Sequence, residues 1–341
     1  MSSSLPDQYL RFVIAGCLNE DYILPVSGLP QNGVLGGCLA YAGVGLSLWG
    51  GSAGMIARVG ANYPVDRLDR FEQLGFNLEG VRVLEGEMDT RRFIAHQDEA
   101  TYFDDNPMQY YVDRGLPFPQ QLLGYKKQPL TKPDRTQPLQ QSIQISDIPE
   151  IYLEAGSIHI CPIDTLSHLI LPSVFRQGRA TTITLSPAPS YMKPTYWGEI
   201  PGLLSEITAF IVPEHQLRDL FQGRSADLWE MAEAIGGFGP EFVLIQTARS
   251  GIYLYDRDNQ RRWEIPQYPS RIADPTGGRD AFAGGFLIGY REHYDPLEAA
   301  LMGGVAASLV VEGSGVYYAL DAMPGLRDAR LASLRSLVRE I

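Results

Sequence analysis

The strongest constraint in the sequence is a rhythm in which short apolar runs rich in β-branched residues alternate with longer segments of helical spacing. Such runs lie at 12–15, 56–59, 158–160, 182–185, 210–212 and 242–245. Continuous runs of this length read as strands buried on both faces, and strands separated by helix-length segments build a largely parallel sheet covered on both sides. The stretch 65–74 represents the helical part, with Val65, Leu68, Phe71 and Leu74 recurring every three residues. The expected fold is therefore α/β, a three-layer sandwich around a mostly parallel central sheet.

Two regions break the rhythm. Residues 20–35 and 81–96 read as extended segments inserted between core elements, able to pair as a small β lid. Residues 98–150 are rich in Gln, Pro and Tyr and include the polar KKQPLTKPDRTQPLQQ, a composition that suits an irregular insertion better than a packed helix. Within it Gln109-Tyr110-Tyr111 is a candidate to dock on the body. One domain over 1–341, with a lid and an insertion, accounts for the pattern, and no repeat at a fixed period is present. The last third brings a β-rich pair at 252–255 and 262–265, a glycine-rich turn, and two apolar helices over 277–290 and 296–311.

Charge narrows the function classes. In 341 residues, 28 Lys+Arg face 40 Asp+Glu, a net charge of −12, which argues against nucleic-acid and anionic-membrane partners. Cys17, Cys38 and Cys161 are far apart in sequence and form no C-x-x-C pair, so neither a disulfide framework nor a zinc cluster is expected. The opening MSSSLPDQYLRFVIAG has no basic start before an apolar core, and no window approaches the roughly 18 apolar residues of a spanning helix. A cytoplasmic setting is the expectation.

Several common chemistries drop out. Lys126, Lys127, Lys132 and Lys193 are followed by Lys, Gln, Pro and Pro, so no Walker A loop exists. Gly43-Val44-Gly45 has Leu48 where a dinucleotide fingerprint needs its third glycine, and it lies in a helical pattern. Neither H-E-x-x-H nor G-x-S-x-G occurs.

What remains is the turn ADPTGGRDAFAGGF at 273–286. Gly277 and Gly278 stand where an extended stretch becomes an apolar helix, so unpaired N–H groups and the helix dipole offer a phosphate site. Asp280 falls in the first turn, within reach of such a phosphate, as a base towards a hydroxyl nucleophile. That pairing is what phosphoryl transfer requires. The plain structural alternative is that Asp274 caps a helix with Pro275 at its first position.

At this turn the sequence resembles the ribokinase-like carbohydrate and nucleoside kinases, the PfkB family, whose signature D-T-x-G-A-G-D stands here as Asp274-Pro275-Thr276-Gly277-Gly278-Arg279-Asp280. The segments FVIAGCLNEDYILPVSGLP, LGGCLAYAGVGLSLWG and ARVGANYPVDRLDRFEQLGFNLEGV extend the resemblance over nearly the whole chain, in family order. It implies that Asp280 is the catalytic base and that the N–H groups of Gly277, Gly278 and Arg279 form an anion hole. It implies that Asp21, Gly36, Gly37, Tyr41 and Arg92 line the acceptor site, with 90–96 as a lid strand. Thr247, Gly304 and Asp274 fall on the nucleotide side, and Glu214 at the magnesium. ATP and Mg2+ are the implied cofactors, with a monovalent cation possible. The implied partners are a small-molecule acceptor and a second copy of the chain paired through the lid.

Three departures from the family pattern bear on activity. Arg279 replaces a glycine before the catalytic Asp, putting a Cβ where a positive φ is a concern, or else a guanidinium in reach of phosphate. The family's N-x-x-E reads Glu214-His215-Gln216-Leu217, so the second carboxylate is lost. Tyr41 replaces a common Asn, which favours stacking on a ring-bearing acceptor. The expected activity is transfer of the γ-phosphoryl group of ATP to a hydroxyl of a sugar or nucleoside-like molecule. The alternative is a weakly active or non-catalytic nucleotide- or sugar-binding protein of the same fold.

Overall fold

The computed structural model describes residues 10–127, 137–248 and 250–341, so part of the polar segment within the expected insertion lies outside the described residues. The large sheet contains β1 (Phe12–Ala15), β4 (Gly54–Val59), β5 (Asn77–Val83), β8 (Ser157–Ile160), β9 (Thr182–Leu185), β10 (Ala209–Pro213), β11 (Phe242–Gln246), β12 (Ile252–Asp256), β13 (Arg261–Ile265) and β14 (Arg339–Glu340). Their order is β14-β13-β12-β11-β10-β9-β8-β1-β4-β5. Pairing is parallel from β5 through β11 and antiparallel from β11 to β14. A separate sheet orders β3 (Gln31–Gly36), β2 (Asn19–Leu24), β6 (Arg91–His96) and β7 (Tyr102–Phe103).

The central strands are buried on both faces, and their side chains alternate between two cores. Phe12 and Ile14 enter the core that holds Leu39 and Val44 of α1 (Cys38–Ser47). Val13 and Ala15 enter the opposite core, with Leu171 and Phe175 of α3 (Thr165–Gln177) and Met231 and Ile235 of α5 (Leu228–Gly236). α6 (Gly278–His293) and α7 (Pro296–Val310) complete the first layer. Two glycines set how α1 meets α6: a Cβ on Gly45 would lie 2.0 Å from the Ala281 carbonyl oxygen, and one on Gly284 would lie 1.9 Å from that of Ala42. The two backbones touch, which brings the N-terminus of α6 against α1.

Three expectations are corrected in detail. Residues 81–83, read with the lid, continue β5 at the edge of the large sheet beside β4, and the lid strand begins at Arg91. The stretch 65–74 is not one helix but a 3-10 turn over Val65–Leu68 followed by Asp69–Gln73. A strict three-residue spacing matches the 3-10 period, and only Leu68 and Phe71 of the four apolar residues are buried. The insertion is partly ordered: α2 (Pro107–Asp113) packs Tyr111, together with Leu122, against Tyr22, Leu24, Phe93 and Ala95. The tyrosines therefore dock on the outer face of the lid and not on the body, and the Tyr111 hydroxyl donates to Asn32 Oδ1.

Among the described residues no helix is long and apolar enough to cross a membrane.

Candidate active site

Asp21 and Arg92 of the lid lie in electrostatic reach of Asp274 and Asp280, and the carboxyl ends of the strands are the usual place for a ligand in an open α/β sheet. The parallel pairing of β2 with β6 sets Asp21 opposite Arg92, so carboxylate and guanidinium share the inner face. Asp21 is 0% exposed and neither carboxylate oxygen has a hydrogen-bond partner. Its carboxyl occupies the space over Gly36, where a Cβ would lie 2.0 Å from Cγ. Burial raises the Asp21 pKa to about 6, with Arg92 opposing the rise and Asp274 adding to it. Gly37 has φ +99 at the start of α1, and a Cβ there would come 2.2 Å from the Cys17 carbonyl oxygen. Only glycine fits both the angle and the space.

At the anion turn, Gly277 stands just before α6 with φ 78. The Gly278 N–H donates to Pro275 O at 3.3 Å and that of Ala281 to Gly277 O at 2.9 Å, whereas those of Arg279 and Asp280 meet no backbone acceptor among the described residues. Of the expected set, only the Gly278 N–H is already used; that of Gly277 likewise meets no backbone acceptor among the described residues. Asp274 does not cap the helix; its Oδ1 accepts the Thr276 N–H at 2.9 Å and tightens the approach to Gly277. Arg279 is exposed and sits in ordinary helix, for the positive φ falls on Gly277. The concern about strain at Arg279 is removed.

Asp280 lies in that first turn, partly exposed. Burial raises its pKa to about 7; Cys38 and Asp21 push the same way, and Arg92 and Arg279 resist. A carboxyl poised near neutrality is matched to proton transfer.

Tyr41 is 1% exposed, and its ring fills the place a Gly277 side chain would take. It is not a free stacking face, contrary to the reading from sequence. Its hydroxyl is buried without a partner and feels Asp21, Asp274 and Asp280, which makes the hydroxyl its available end.

The remaining candidates divide. Thr247 follows β11 and closes a tight turn, donating from Oγ1 to Gly251 O at 2.9 Å. Its neighbour Gln246 donates from Nε2 to Arg279 O at 3.3 Å, which joins this strand end to the anion turn. Gly304 lies within α7, where a Cβ would meet Leu334 of α8 (Leu326–Arg335) at 3.3 Å. Val311, just past the end of α7, backs the turn, accepting from Ala273 and Asp274 N–H at 2.8 and 3.1 Å.

Glu214 opens α4 (Glu214–Leu220), and its Oε1 accepts from Arg218 at 2.8 Å, while Leu217 is fully buried. Among the described residues no three His, Cys, Asp or Glu side chains are placed to hold a metal ion. A magnesium that keeps most of its waters and binds mainly through nucleotide phosphates needs no such cage. The carboxylate oxygen of Glu214 left free by Arg218 fits that limited role.

Two features escaped the reading of the sequence. Cys17, Cys38 and Cys161 converge, with Cys38 Sγ 3.2 Å from Cys17 N and 3.6 Å from Pro162 O, and all three are free thiols. The β1–β8 register, Ala15 opposite Ile160, brings the residues that follow each strand together. The second feature is His96, which closes β6 and reaches Thr276 of the anion turn. Its place at the end of the expected lid strand was the one signal available.

A cavity of about 410 Å³ also lies at the root of the lid, lined by Glu20, Asn62, Glu87, Asp89 and Thr90 among others, and it shares no residue with the anion turn.

Comparisons with known proteins bear on the family and the fold. Residues 162–323 match the family described as pfkB family carbohydrate kinase. A cytidine kinase of Thermococcus kodakarensis is 27% identical over 286 residues, covering 82% of this chain and 88% of the relative. Among solved structures, a putative ribokinase II from E. coli in complex with ATP and Mg2+ aligns with a TM-score of 0.68 at 14% identity, over 95% of this chain and 99% of that one. A Burkholderia thailandensis nucleoside kinase in complex with inosine aligns at 0.66 and 19%, over 95% and 99%. At these identities the structures speak for the fold.

Proposed function

We propose that this chain, a ribokinase-like protein of the PfkB family, transfers the γ-phosphoryl group of ATP to a hydroxyl of a nucleoside-like or sugar acceptor. The observation that carries the reading is Asp280: a carboxyl with pKa raised to about 7, in the first turn of a helix where the N–H groups of Arg279 and Asp280 are unpaired, in electrostatic reach of the buried, unpartnered Asp21. The extended match to a cytidine kinase supports a ring-bearing acceptor.

The division of labour follows from the side chains. Asp21, with two vacant acceptor oxygens, takes hydrogen bonds from acceptor hydroxyls and orients them. The buried Tyr41 hydroxyl offers one further polar contact. Asp280 accepts the proton as the acceptor oxygen attacks phosphorus. The open N–H groups of Arg279 and Asp280, with the helix dipole, stabilise charge gathering on the transferred phosphoryl oxygens. Arg279 extends outward beside them, where a guanidinium adds a charge-assisted contact to phosphate. Magnesium, when bound with the nucleotide, supplies charge neutralisation on the phosphates, and Glu214 is the side chain positioned to reach its water shell. The lid strands β2 and β6 exclude water from the pocket, which limits wasteful hydrolysis.

The experiment is ADP release from Mg-ATP across a panel of nucleosides and sugars, with Asp280→Asn run beside wild type and ATP binding measured separately. Acceptor-dependent turnover that the variant loses supports the reading. ATP binding with no turnover on any acceptor would favour a binding protein of the same fold.

A further inference from the structure

We infer that His96 is a positioning residue that clasps the lid to the anion turn, so that closing the lid and fixing the phosphate-facing backbone are one event. The inference deepens the kinase reading and, for its catalytic consequence, rests on it. His96 is the last residue of β6 and is 5% exposed. Its Nε2 lies 2.9 Å from Thr276 Oγ1 and 3.4 Å from Asp274 Oδ1. Those two residues are themselves buried, at 7% and 1% exposure, and already joined through the Thr276 N–H. Thr276 immediately precedes Gly277, the residue whose positive φ turns the chain into α6. A side chain from the lid therefore grips the two residues that set the direction of the anion turn.

The clasp is braced from behind. The His96 carbonyl accepts from Arg114 Nη2, and Arg114 Nη1 donates to Pro25 O at 2.8 Å, which links the end of β6 to the β2–β3 connection. That connection makes its own contact with the body, Ser27 N–H to Ala273 O at 3.1 Å. The lid thus meets the turn at Ala273, Asp274 and Thr276, from two of its elements.

The groups facing the imidazole are Asp274 on the turn, Arg92 on β6, Arg114 after α2, Asp98 after β6, and the Tyr102 ring on β7 at 5.9 Å. Burial and the two arginines hold the ring below its usual pKa against the pull of Asp274. A neutral ring serves the clasp, since Nε2 bonds the Thr276 hydroxyl without a net charge in the pocket.

A lid held only when this bond forms keeps water away from the donor phosphate until acceptor and turn are both in place. Without the bond, the open lid exposes the donor to water while the chemistry at Asp280 stays intact. The expected signature is a change in partition, not a uniform loss.

The test compares wild type with His96→Ala, His96→Gln and Thr276→Val. The first readout is amide hydrogen exchange of the unliganded protein over β2, β3 and β6, with β10 as internal reference. His96→Ala and Thr276→Val should raise lid exchange by about tenfold, the loss of one buried hydrogen bond, with β10 unchanged and with partial restoration in His96→Gln. The second readout is the ratio of acceptor-independent ATP hydrolysis to acceptor phosphorylation, expected to rise about tenfold in His96→Ala and to fall back in His96→Gln. Wild-type lid exchange in both truncations overturns the inference, as does an unchanged ratio alongside faster exchange. If His96→Ala does not fold, Thr276→Val removes the partner oxygen at nearly constant volume and decides in its place. If wild type transfers no phosphoryl group to any acceptor, the kinase reading fails, and the exchange experiment alone decides the clasp.

Discussion

The ring of Tyr41 stands directly on the backbone of Gly277: a Cβ at Gly277 would fall 2.1 Å from the ring carbons. Helix α1 and the glycine turn before α6 are thus in van der Waals contact through a missing side chain. Gly277→Ala has two faults, a left-handed φ costing about 1 kcal/mol or more and an overlap with a residue that has no room to retreat. The expected outcome is at least a tenfold loss of ATP affinity by titration calorimetry, with a smaller drop in melting temperature. ATP affinity equal to wild type would show that the turn tolerates displacement.

In the proposed role of base Asp280 must be ionised to take a proton, and its pKa is raised to about 7. Activity is therefore expected to climb with pH through about 7 and level off above, in kcat/KM profiles for the acceptor. Asp280→Asn should lower turnover at least about a hundredfold and leave ATP affinity nearly unchanged. A profile flat from pH 5.5 to 8.5 in wild type would exclude this carboxyl as the titrating base.

Asp21 carries a cost in stability. Its pKa is raised to about 6 in the folded chain from 3.8, so between those values the folded state holds more protons than the unfolded state. Stability then falls as pH rises from about 4 to about 6 and stays lower above. Asp21→Asn is expected to melt higher than wild type at pH 8, by a few degrees, with the gap narrowing towards pH 4. Equal melting temperatures at both pH values would contradict the linkage.

The crossing of α1 over α6 leaves no space at Gly284, whose Cβ would lie 1.9 Å from Ala42 O. Gly284→Ala should destabilise by roughly 1–3 kcal/mol in urea unfolding, the usual cost of overpacking. Because α6 carries the anion turn at its start, ATP affinity should weaken as well. Loss of stability without loss of affinity would mean the helix adjusts away from the site.

Pairing of two chains through the lid was an expectation of the family resemblance. The outer lid face is covered by the chain's own Tyr111 and Leu122 over Tyr22, Leu24, Phe93 and Ala95. Light scattering should accordingly find a particle of one chain's mass, 37.8 kDa. A stable dimer that Val112→Glu abolishes, on the exposed side of α2, would place the interface on the covering segment.

Local chemistry written in consecutive residues was legible. The apolar runs of β1, β8, β9, β10 and β11, buried on both faces, announced a covered parallel sheet. The order Asp274 to Asp280 announced a glycine turn into a helix with an acid in its first turn. Both depend on residues close in sequence, where period and dihedral preference act directly.

What tertiary structure decided is which distant residues meet. β8, more than a hundred residues after β1, lies beside it, and that pairing gathers three cysteines that look unrelated in the sequence. The parallel register of β2 with β6 sets Arg92 beside Asp21, and the end of β6 sets His96 on Thr276, 180 positions away. The roles suggested for Tyr41 and Arg279 changed for the same reason: the space left by Gly277 is filled by one, and the helix that begins there gives the other ordinary φ. Such contacts are chosen by strand order and by where glycine lets backbones approach, and neither is encoded in the periodicity of any single segment.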